Sequence, residues 1–413
     1  MKRFFYATAL FLMVSVWANA QTIFNNNGGD NLWSNDANWS AGLPDETDTY
    51  AQINNDVSLD ANSTVLQIRS VNNTVNAGAG KVTITGTAAG LLQTGAVGTF
   101  TVDAAVDING SGVKNLQVNA TDGKLVFGPN STLTLLNFAQ VIALKTANRE
   151  VQFNGALEGT SALRFGNNSN SSFGATANNA NFDSELVFYA GAVVTVNMAD
   201  NSTFIKAEKK VQINGTGGSL TLNGANVYKG NLSIGGANAF TLDVNQNQND
   251  FGAIALAVDG TLTINMDAAV TNLSFINTSS YNWGTGSVVI NGFKENVIRF
   301  GTDASGLTIE QLGQINVGGQ SVMLDADGYL VYGTPTDIET TPSMIVERNS
   351  YPTQTSGLVN FKTAVEGVKV VSITGNIVEN IADEVRSIDL SNLSSGIYFI
   401  VYADNSIEKI IKQ

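Results

Sequence analysis

Short runs of alternating apolar and polar residues recur along the chain from about residue 65 to residue 332. Each run is four or five residues long and is followed by Gly, Asn or Asp. Alternation with a period of two puts every second side chain on one face of a β-strand, and no helical period of comparable length competes with it. The pattern therefore predicts an all-β region of many short strands. Clear examples are residues 81–85 (KVTIT), 124–127 (KLVF), 132–135 (TLTL), 162–165 (ALRF), 219–222 (SLTL) and 261–264 (TLTI).

Five of these strands end in an Asn-Gly step, at residues 109–110, 154–155, 214–215, 223–224 and 291–292. Asn and Gly tolerate left-handed backbone, so each step predicts a tight corner. Such a corner occurs in the hairpins of a β-sandwich and also between the strands of a β-solenoid. The length of the region favours the solenoid, that is, a parallel β-helix, because a solenoid grows by adding coils whereas a single sandwich does not.

The chain changes character after residue 332. Three of its five prolines, Pro335, Pro342 and Pro352, lie close together there, which indicates a linker. The short strands beyond it predict a small antiparallel β-sandwich. At the other end, a cap is expected because an open solenoid would expose unpaired strand edges. The predicted domains are an N-terminal cap at 21–64, the β-solenoid at 65–332, the linker at 333–345 and the sandwich at 346–413.

Residues 1–20 have the features of a signal peptide. Lys2 and Arg3 precede an apolar stretch over residues 4–17, and Ala18-Asn19-Ala20 forms a small-x-small cleavage site. The mature chain is therefore expected to begin at Gln21. No later segment reaches the roughly 18 consecutive apolar residues of a membrane-spanning helix, so no transmembrane segment is expected in the mature chain.

Composition narrows the chemistry. The formal net charge is -14, from 21 Lys and Arg against 35 Asp and Glu, which disfavours nucleic acid and anionic membranes as partners. The chain has no Cys and no His, which excludes disulfides, thiolate chemistry, serine triads and ordinary zinc sites. Only carboxylates, Lys, Tyr and Arg remain for catalysis, and no cofactor is predicted.

The last unit resembles the C-terminal sorting domain of the type IX (Por) secretion system of Bacteroidetes. The resemblance rests on residues 370–376 (VVSITGN), 388–393 (IDLSNL), 395–399 (SGIYF) and 408–412 (EKIIK). The opening at residues 351–353 (YPT) and the Gly-Asn step at residue 375 depart from the Tyr-Pro-Asn-Pro and Gly-Arg of the family. The resemblance implies an Ig-like sandwich that carries the protein across the outer membrane and is usually removed. The residues that carry the motif are Gly375, Asp389, Leu390, Leu393, Gly396, Ile397, Tyr398, Lys409 and Lys412.

The central region is similar to the autotransporter-associated β-strand repeats of long bacterial surface proteins. Residues 218–232 match the strand, Gly-Ala-Asn, aromatic, Gly rhythm of that family, and residues 174–188 are a weaker copy. Residues 33–39 are similar to its opening, and residues 287–331 to its closing segment. This resemblance implies an adhesin-like surface protein.

Aromatic residues near the two ends of the predicted solenoid have two interpretations. Aromatic faces are a usual platform for sugar rings, but large aromatics can equally close the ends of a core. The architectural interpretation is favoured because the residues lie at the caps. Glycan stacking is kept as a hypothesis for Trp33, Trp39 and Trp283, with Tyr50 and Tyr281 as further candidates.

Carboxylates are the remaining candidates for metal binding or catalysis. Residues 325–328 (DADG) have the spacing that begins a calcium loop, but no ligands follow, so a turn between Val322 and Leu330 is favoured. Residues 303–306 (DASG) are similar. The run 206–210 (KAEKK) is interpreted as a solvated loop. A β-helix can also hold two carboxylates about 5 to 10 Å apart for glycoside hydrolysis. The candidates, whose pairing the sequence leaves open, are Glu150, Glu158, Asp183, Glu185 and Asp200.

Together these features predict a secreted or surface-displayed β-solenoid with a structural or adhesive role. It is expected outside the cell or on the outer-membrane surface, reached through the periplasm. Its predicted partners are the type IX machinery and surface glycans or other cells. No specific enzyme is indicated. The alternatives are a polysaccharide-active β-helix enzyme, which a groove with two facing carboxylates would favour, and a carbohydrate-binding module, which an exposed aromatic strip would favour.

Overall fold

The chain forms two compact units whose boundary lies between Pro335 and Thr336. A computed structural model describes residues 21–86, 89–95, 97–143, 148–334, 349–404 and 406–413. The predicted signal peptide and nearly all of the predicted linker lie outside these ranges. The first unit is a parallel β-solenoid, and the second is built of mainly antiparallel sheets with one short parallel pair, so the predicted fold class is confirmed.

The solenoid unit is made almost wholly of short strands. The first half contains β1 (Gln21–Phe24), a 3₁₀ turn (Asp36–Asn38), β2 (Tyr50–Ile53), β3 (Val57–Ser58), β4 (Ser63–Val65), β5 (Ile68–Ser70), β6 (Thr74–Ile84), β7 (Ala89–Gln93), β8 (Val97–Ile108), β9 (Lys114–Val118), β10 (Asp122–Phe127), β11 (Thr132–Leu135), β12 (Ala139–Ile142), β13 (Glu150–Phe153), β14 (Ala156–Gly159), β15 (Leu163–Phe165) and β16 (Asn170–Phe173). The second half contains β17 (Leu186–Phe188), β18 (Val193–Val196), β19 (Lys210–Ile213), β20 (Gly218–Leu222), β21 (Asn231–Ile234), β22 (Ala239–Val244), β23 (Gln248–Phe251), β24 (Ile254–Leu256), β25 (Thr261–Met266), β26 (Leu273–Phe275), β27 (Ser287–Asn291), β28 (Ile298–Phe300), α1 (Ile309–Gly313), β29 (Ile315–Asn316), β30 (Val322–Leu324) and β31 (Leu330–Tyr332).

Three sheets run along the solenoid, and successive coils add parallel strands to them. One sheet has 11 strands in the order β1-β2-β5-β7-β9-β12-β15-β17-β19-β21-β24, a second has 15 strands, and the third is β23-β26-β28. In the first sheet Leu186 pairs with Val211, Val211 with Leu232, and Leu232 with Ile254, so the length of a coil changes along the solenoid. The parallel pairing excludes the hairpin interpretation, because hairpin strands are antiparallel.

The five Asn-Gly steps stand at the ends of strands, but glycine is needed there for two different reasons. At Gly110 and Gly292 the φ angles are 81° and 74°, so glycine supplies left-handed backbone. At Gly155, Gly215 and Gly224 φ is not positive. A Cβ atom there would instead come within 2.2 to 2.3 Å of an atom of an earlier coil. The prediction of left-handed backbone is therefore wrong at these three steps, where close coil-to-coil approach requires glycine.

A column of aromatic rings stacks from coil to coil inside the solenoid. Phe127, Phe153 and Phe173 occupy one register position on three successive coils. Their ring centroids are 5.2 and 4.7 Å apart, with interplanar angles of 4° and 16°. In-register parallel pairing places equivalent residues about 4.8 Å apart, which is the spacing that stacked rings need. The column continues through Phe204, Tyr228, Phe251, Phe275 and Phe300, where the Tyr228–Phe251 and Phe275–Phe300 pairs are stacked and the other contacts are edge-on or tilted.

Both ends of the solenoid carry additional packing elements. The segment predicted as the N-terminal cap supplies β1 to β4, so the parallel ladder already begins at Gln21. Trp39 packs against Phe24 and Trp33, with centroid distances of 5.1 and 4.9 Å. At the other end, α1 begins with a capping box at Thr308, and the antiparallel hairpin β30-β31 follows. These end elements add buried apolar residues to the single solenoid core.

The second unit contains two sheets around its own core. Its strands are β32 (Ser350–Tyr351), β33 (Gln354–Thr355), β34 (Leu358–Val365), β35 (Val368–Ser372), β36 (Ile377–Ile381), β37 (Val385–Asp389), β38 (Gly396–Val401) and β39 (Ile407–Lys412). One sheet has the order β32-β34-β37 and the other β33-β39-β38-β35-β36. Apolar residues from both sheets form one cluster, which is the arrangement of a sandwich.

Candidate functional site

A groove of about 1010 Å³ follows one corner of the solenoid, where the three-stranded sheet turns toward the 11-stranded sheet. Backbone bonds join successive corners: Lys229 N donates to Ile205 O (3.1 Å), and Gly301 N to Phe275 O (3.0 Å). The corners that line the groove begin at Ala207 and end at Thr302. They cover four steps between coils, so the groove is about 19 Å long at about 4.8 Å per step.

Three charged residues of alternating sign line this groove on successive coils. They are Glu208, Lys229 and Asp250, which are equally spaced in the sequence. Glu208 and Asp250 are exposed, and Lys229 is half-buried. Within the described part of the chain, no ion pair engages any of the three side chains.

Lys229 also lacks a hydrogen-bond partner among the described residues, whereas each of the other described lysines of the solenoid has a carboxylate or carbonyl partner. Lys114 is buried and donates to the carbonyls of Ser111 and Gly112, and burial lowers the pKa of its ammonium group. Lys294 donates to backbone carbonyls at 2.6 and 3.1 Å. The remaining lysines form the ion pairs Lys81–Asp107 (2.6 Å), Lys124–Glu150 (3.0 Å), Lys206–Asp183 (3.7 Å), Lys209–Asp183 (3.0 Å) and Lys210–Glu185 (3.4 Å).

Glu208 has an unusual backbone conformation. Its φ is 65°, in the left-handed region. The other described non-glycine residues with positive φ are all Asn or Asp, whose short side chains tolerate this region better. A glutamate held there costs about 1 kcal/mol or more, and such strain concentrates at functional positions.

Apolar and cationic groups complete the lining. Ile276 is 47% exposed, and Tyr281 is half-buried beside it in the groove. Arg299 also lines the groove, with its Nε donating to Asp327 O at 2.9 Å. The groove therefore combines an apolar surface with two cations and two carboxylates.

The three tryptophans proposed for glycan stacking are buried. Trp33, Trp39 and Trp283 are 2%, 5% and 2% exposed. The indole nitrogen of Trp39 donates to Trp33 O (2.8 Å), and that of Trp283 donates to Ile254 O (2.9 Å). Their ring faces are closed to a ligand, so the geometry supports the architectural interpretation instead. Of the two candidate tyrosines, Tyr50 lies under the Arg69 guanidinium at 3.8 Å.

Glu150 is held as a structural anion. It receives hydrogen bonds from Ser172 Oγ (2.6 Å) and Gln152 Nε2 (2.7 Å) and pairs with Lys124. Burial alone would raise its pKa, but the bonds from Ser172, Lys124 and Gln152 outweigh burial, and the pKa of Glu150 is lowered. An ionised carboxylate with these partners does not have the raised pKa of a general acid.

The other four candidate carboxylates are also engaged with neighbours. The hydrogen bond and charge of Lys209 lower the pKa of Asp183. The structure does not bring any of the five into the groove. Their contacts are Asn181 Nδ2 to Glu158 (2.9 Å), Lys209 and Lys206 to Asp183 (3.0 and 3.7 Å), Lys210 to Glu185 (3.4 Å), and the Ala225 amide to Asp200 (2.8 Å).

The two aspartate runs considered for calcium form turns. Asp325 Oδ1 accepts from the amides of Asp327 (3.0 Å) and Tyr329 (2.8 Å) inside the hairpin β30-β31. Asp303 Oδ1 accepts from the Ser305 hydroxyl (2.6 Å) and amide (2.8 Å), and these bonds lower the pKa of Asp303. Within the described ranges, no three or more acidic side chains converge as a metal site would require. The turn that the sequence favoured between Val322 and Leu330 is present as the hairpin β30-β31.

The sorting-motif residues lie on the second unit. Gly375 has φ of 83° in the turn between β35 and β36. Asp389 accepts from the amide of Ser391 (2.9 Å), and this bond and that of the Ser391 hydroxyl lower the pKa of Asp389. Tyr398 is buried, and its hydroxyl donates to Ser394 O (2.9 Å). Of the remaining motif residues, Leu390 and Lys412 are buried, Leu393, Gly396 and Ile397 are half-buried, and Lys409 is exposed.

Sequence reasoning missed a buried carboxylate in this unit. Glu408, on the last strand, is 5% exposed. It accepts from the amides of Asn349 (2.7 Å) and Ser350 (3.0 Å) and from the Ser350 hydroxyl. Glu408 therefore links the last strand to residues 349–350 at the start of the unit. The alternating strand 407–411 could have indicated an inward side chain at residue 408, but not its partners at the start of the unit.

Comparison with known proteins identifies the second unit. Residues 351–413 match the family of secretion system C-terminal sorting domains. No curated protein and no solved structure matches the chain. Across the described residues there is no helix of the length and apolarity needed to span a membrane. The C-terminal unit is therefore a sorting domain, and it indicates export of this protein by the type IX secretion machinery to the cell surface or the extracellular space.

Proposed function

We propose that this protein is a surface-displayed β-solenoid with a structural or adhesive role. The observation that carries the proposal is a continuous solenoid joined to a sorting domain in one chain. Ten steps of about 4.8 Å across the 11-stranded sheet give a body about 50 Å long. Such a body suits a spacer or a binding surface better than an enzyme with a deep cleft.

The resemblance to autotransporter-associated repeats supports the adhesive part of this proposal. The Bacteroidetes origin and the periplasmic route are proposed with it, from the sorting-domain resemblance and from the signal-peptide pattern at residues 1–20. Expected partners, besides the secretion machinery, are glycans or neighbouring cells. The five carboxylates considered for hydrolysis lie outside the groove. The enzyme alternative would therefore have to use Glu208 and Asp250, which line the groove with Lys229 between them.

Export is tested by removing residues 346–413 from the full chain in a host with type IX secretion. We expect the truncated form to accumulate in the periplasm, since it would keep the signal peptide and lose the sorting domain. Surface labelling and fractionation measure the location of both forms. The matched control is a reporter carrying residues 1–20 and 346–413, which should reach the surface. Surface display of the truncated form would contradict the role of the sorting domain.

The adhesive role is tested separately. Cells that display the full chain and cells that lack it are compared for aggregation and for attachment to glycan-coated surfaces. We expect greater attachment with the protein present. Equal attachment, with the protein confirmed at the surface, would leave a structural role alone, and release of oligosaccharides from polysaccharides by the purified chain would support the enzyme alternative.

A further inference from the structure

The geometry points to the corner groove as a binding site for an uncharged, hydroxyl-rich polysaccharide chain. The groove is the one lined by Glu208, Lys229, Asp250, Ile276 and Tyr281. This inference deepens the proposed adhesive role by naming its site and ligand class, and it rests on that proposed function. It is tested on purified protein, so its outcome does not depend on export.

The groove contains polar groups that the described part of the fold does not use. Lys229 is a half-buried residue whose ammonium group has no partner there, whereas every other described lysine of the solenoid pairs with a carboxylate or a backbone carbonyl. Glu208 and Asp250 lie on the coils before and after it. Hydrogen bonds to charged groups are stronger than those between neutral groups, so this row offers alternating strong acceptors and donors. Sugar hydroxyls, which both donate and accept, suit such a row.

Charge balance favours an uncharged ligand. The groove is lined by two carboxylates, Glu208 and Asp250, and by two cations, Lys229 and Arg299. The chain as a whole carries a net charge of -14, which repels polyanions at long range. A uronate or sulfated polymer would meet carboxylates on both sides of the Lys229 ammonium group. A neutral polymer would avoid this repulsion.

The shape of the groove favours an extended chain over a compact small molecule. The groove runs parallel to the solenoid axis for about 19 Å, and similar polar positions recur about every 4.8 Å. Ile276 and Tyr281 add an apolar surface beside the charged row. Pyranose rings have an apolar face of C–H groups and a polar rim of hydroxyls, so a ring can contact both surfaces at once.

The strain at Glu208 provides an independent observation. The sequence places a glutamate in left-handed backbone where the described solenoid elsewhere uses Asn, Asp or Gly. Its carboxylate has no ion-pair partner among the described residues that would explain the choice. A strained residue that lowers the stability of the protein is expected where its side chain binds a ligand.

The test measures binding of the purified full chain by calorimetry. The uncharged probes are hexasaccharides of cellulose, laminarin, starch and mannan, and the anionic probes are oligogalacturonate and oligomannuronate. We expect at least one uncharged probe to bind and the anionic probes to bind more weakly. Lys229→Ala should weaken binding about tenfold or more, the loss expected for a hydrogen bond to a charged group. Tyr281→Ala should also weaken it. Lys210→Ala, the same change of charge outside the groove, should leave it unchanged.

Glu208→Asn separates binding from folding. Asn tolerates positive φ, so this variant should melt at the same temperature as the wild type or higher, while its affinity for the uncharged probe falls. Three results would overturn the assignment: binding only of the anionic probes, binding that Lys229→Ala and Glu208→Asn leave intact, or no binding to any probe by a protein that melts cooperatively. None of these results bears on whether the sorting domain exports the chain.

Discussion

The aromatic column gives a quantitative prediction at Phe153. This side chain is 2% exposed and lies between Phe127 and Phe173, at 5.2 and 4.7 Å. Phe-to-Ala substitutions in cores cost about 3 to 5 kcal/mol, and each stacked pair contributes about 0.5 to 1.5 kcal/mol beyond burial. Phe153→Ala interrupts the column on both faces, so we expect a loss of unfolding free energy near the top of that range, about 4 to 5 kcal/mol.

The matched control is Phe138→Ala. Phe138 is 40% exposed, and the Arg164 guanidinium lies 4.3 Å from its ring centroid. Removing one exposed cation–π contact should cost about 1 kcal/mol or less. The two variants therefore differ in burial but not in the atoms removed.

Guanidinium unfolding of the full chain, followed by circular dichroism, measures both losses. Coils contact mainly their neighbours, so the solenoid can unfold in parts. Hydrogen exchange should therefore accompany the transition. We expect Phe153→Ala to reduce protection first in β10, β13 and β16, with a smaller effect in β25 and β27. Equal losses for Phe153→Ala and Phe138→Ala would refute the role assigned to the column.

Two further predictions concern carboxylates that accept several hydrogen bonds. The folded-state pKa of Glu150 is lowered, so its ionised form contributes stability above the unfolded pKa of about 4.3, and this stability is lost as pH falls through the folded value. Glu150→Gln should therefore lower the midpoint of guanidinium unfolding at pH 7. It should also reduce the fall of that midpoint between pH 5 and pH 3. A pH dependence equal to that of the wild type would contradict this prediction. Glu408→Ala leaves the donors of Asn349 and Ser350 without their acceptor, at a cost of about 1.5 to 3 kcal/mol. The second unit should melt earlier and both amides should lose exchange protection, whereas exposed Glu366→Ala should change neither.

Much of the fold could be predicted because it depends on local patterns. Alternation at residues 132–135 and 219–222 indicated strands that the structure contains. The sorting domain was recognisable because its motif residues lie in short segments between residues 370 and 412. The groove was not recognised, although Glu208, Lys229 and Asp250 recur at equal intervals, close to the length of a coil. Without the register between coils, a charged side chain that lines a groove cannot be distinguished from one that only faces solvent.

By itself the sequence determined the class of structure and the sorting domain, because period-two alternation, turn residues and local motifs act over a few positions. Only the tertiary structure decided which residues of different coils meet. It buried Trp33, Trp39 and Trp283 and gave Glu150 and Asp183 their ion pairs with lysines. It left Lys229 without an ion pair among the described residues. The physical reason is that coil length varies, being longer from Leu186 to Val211 than from Val211 to Leu232. Each variation shifts which side chains stack, and packing between coils fixes that register.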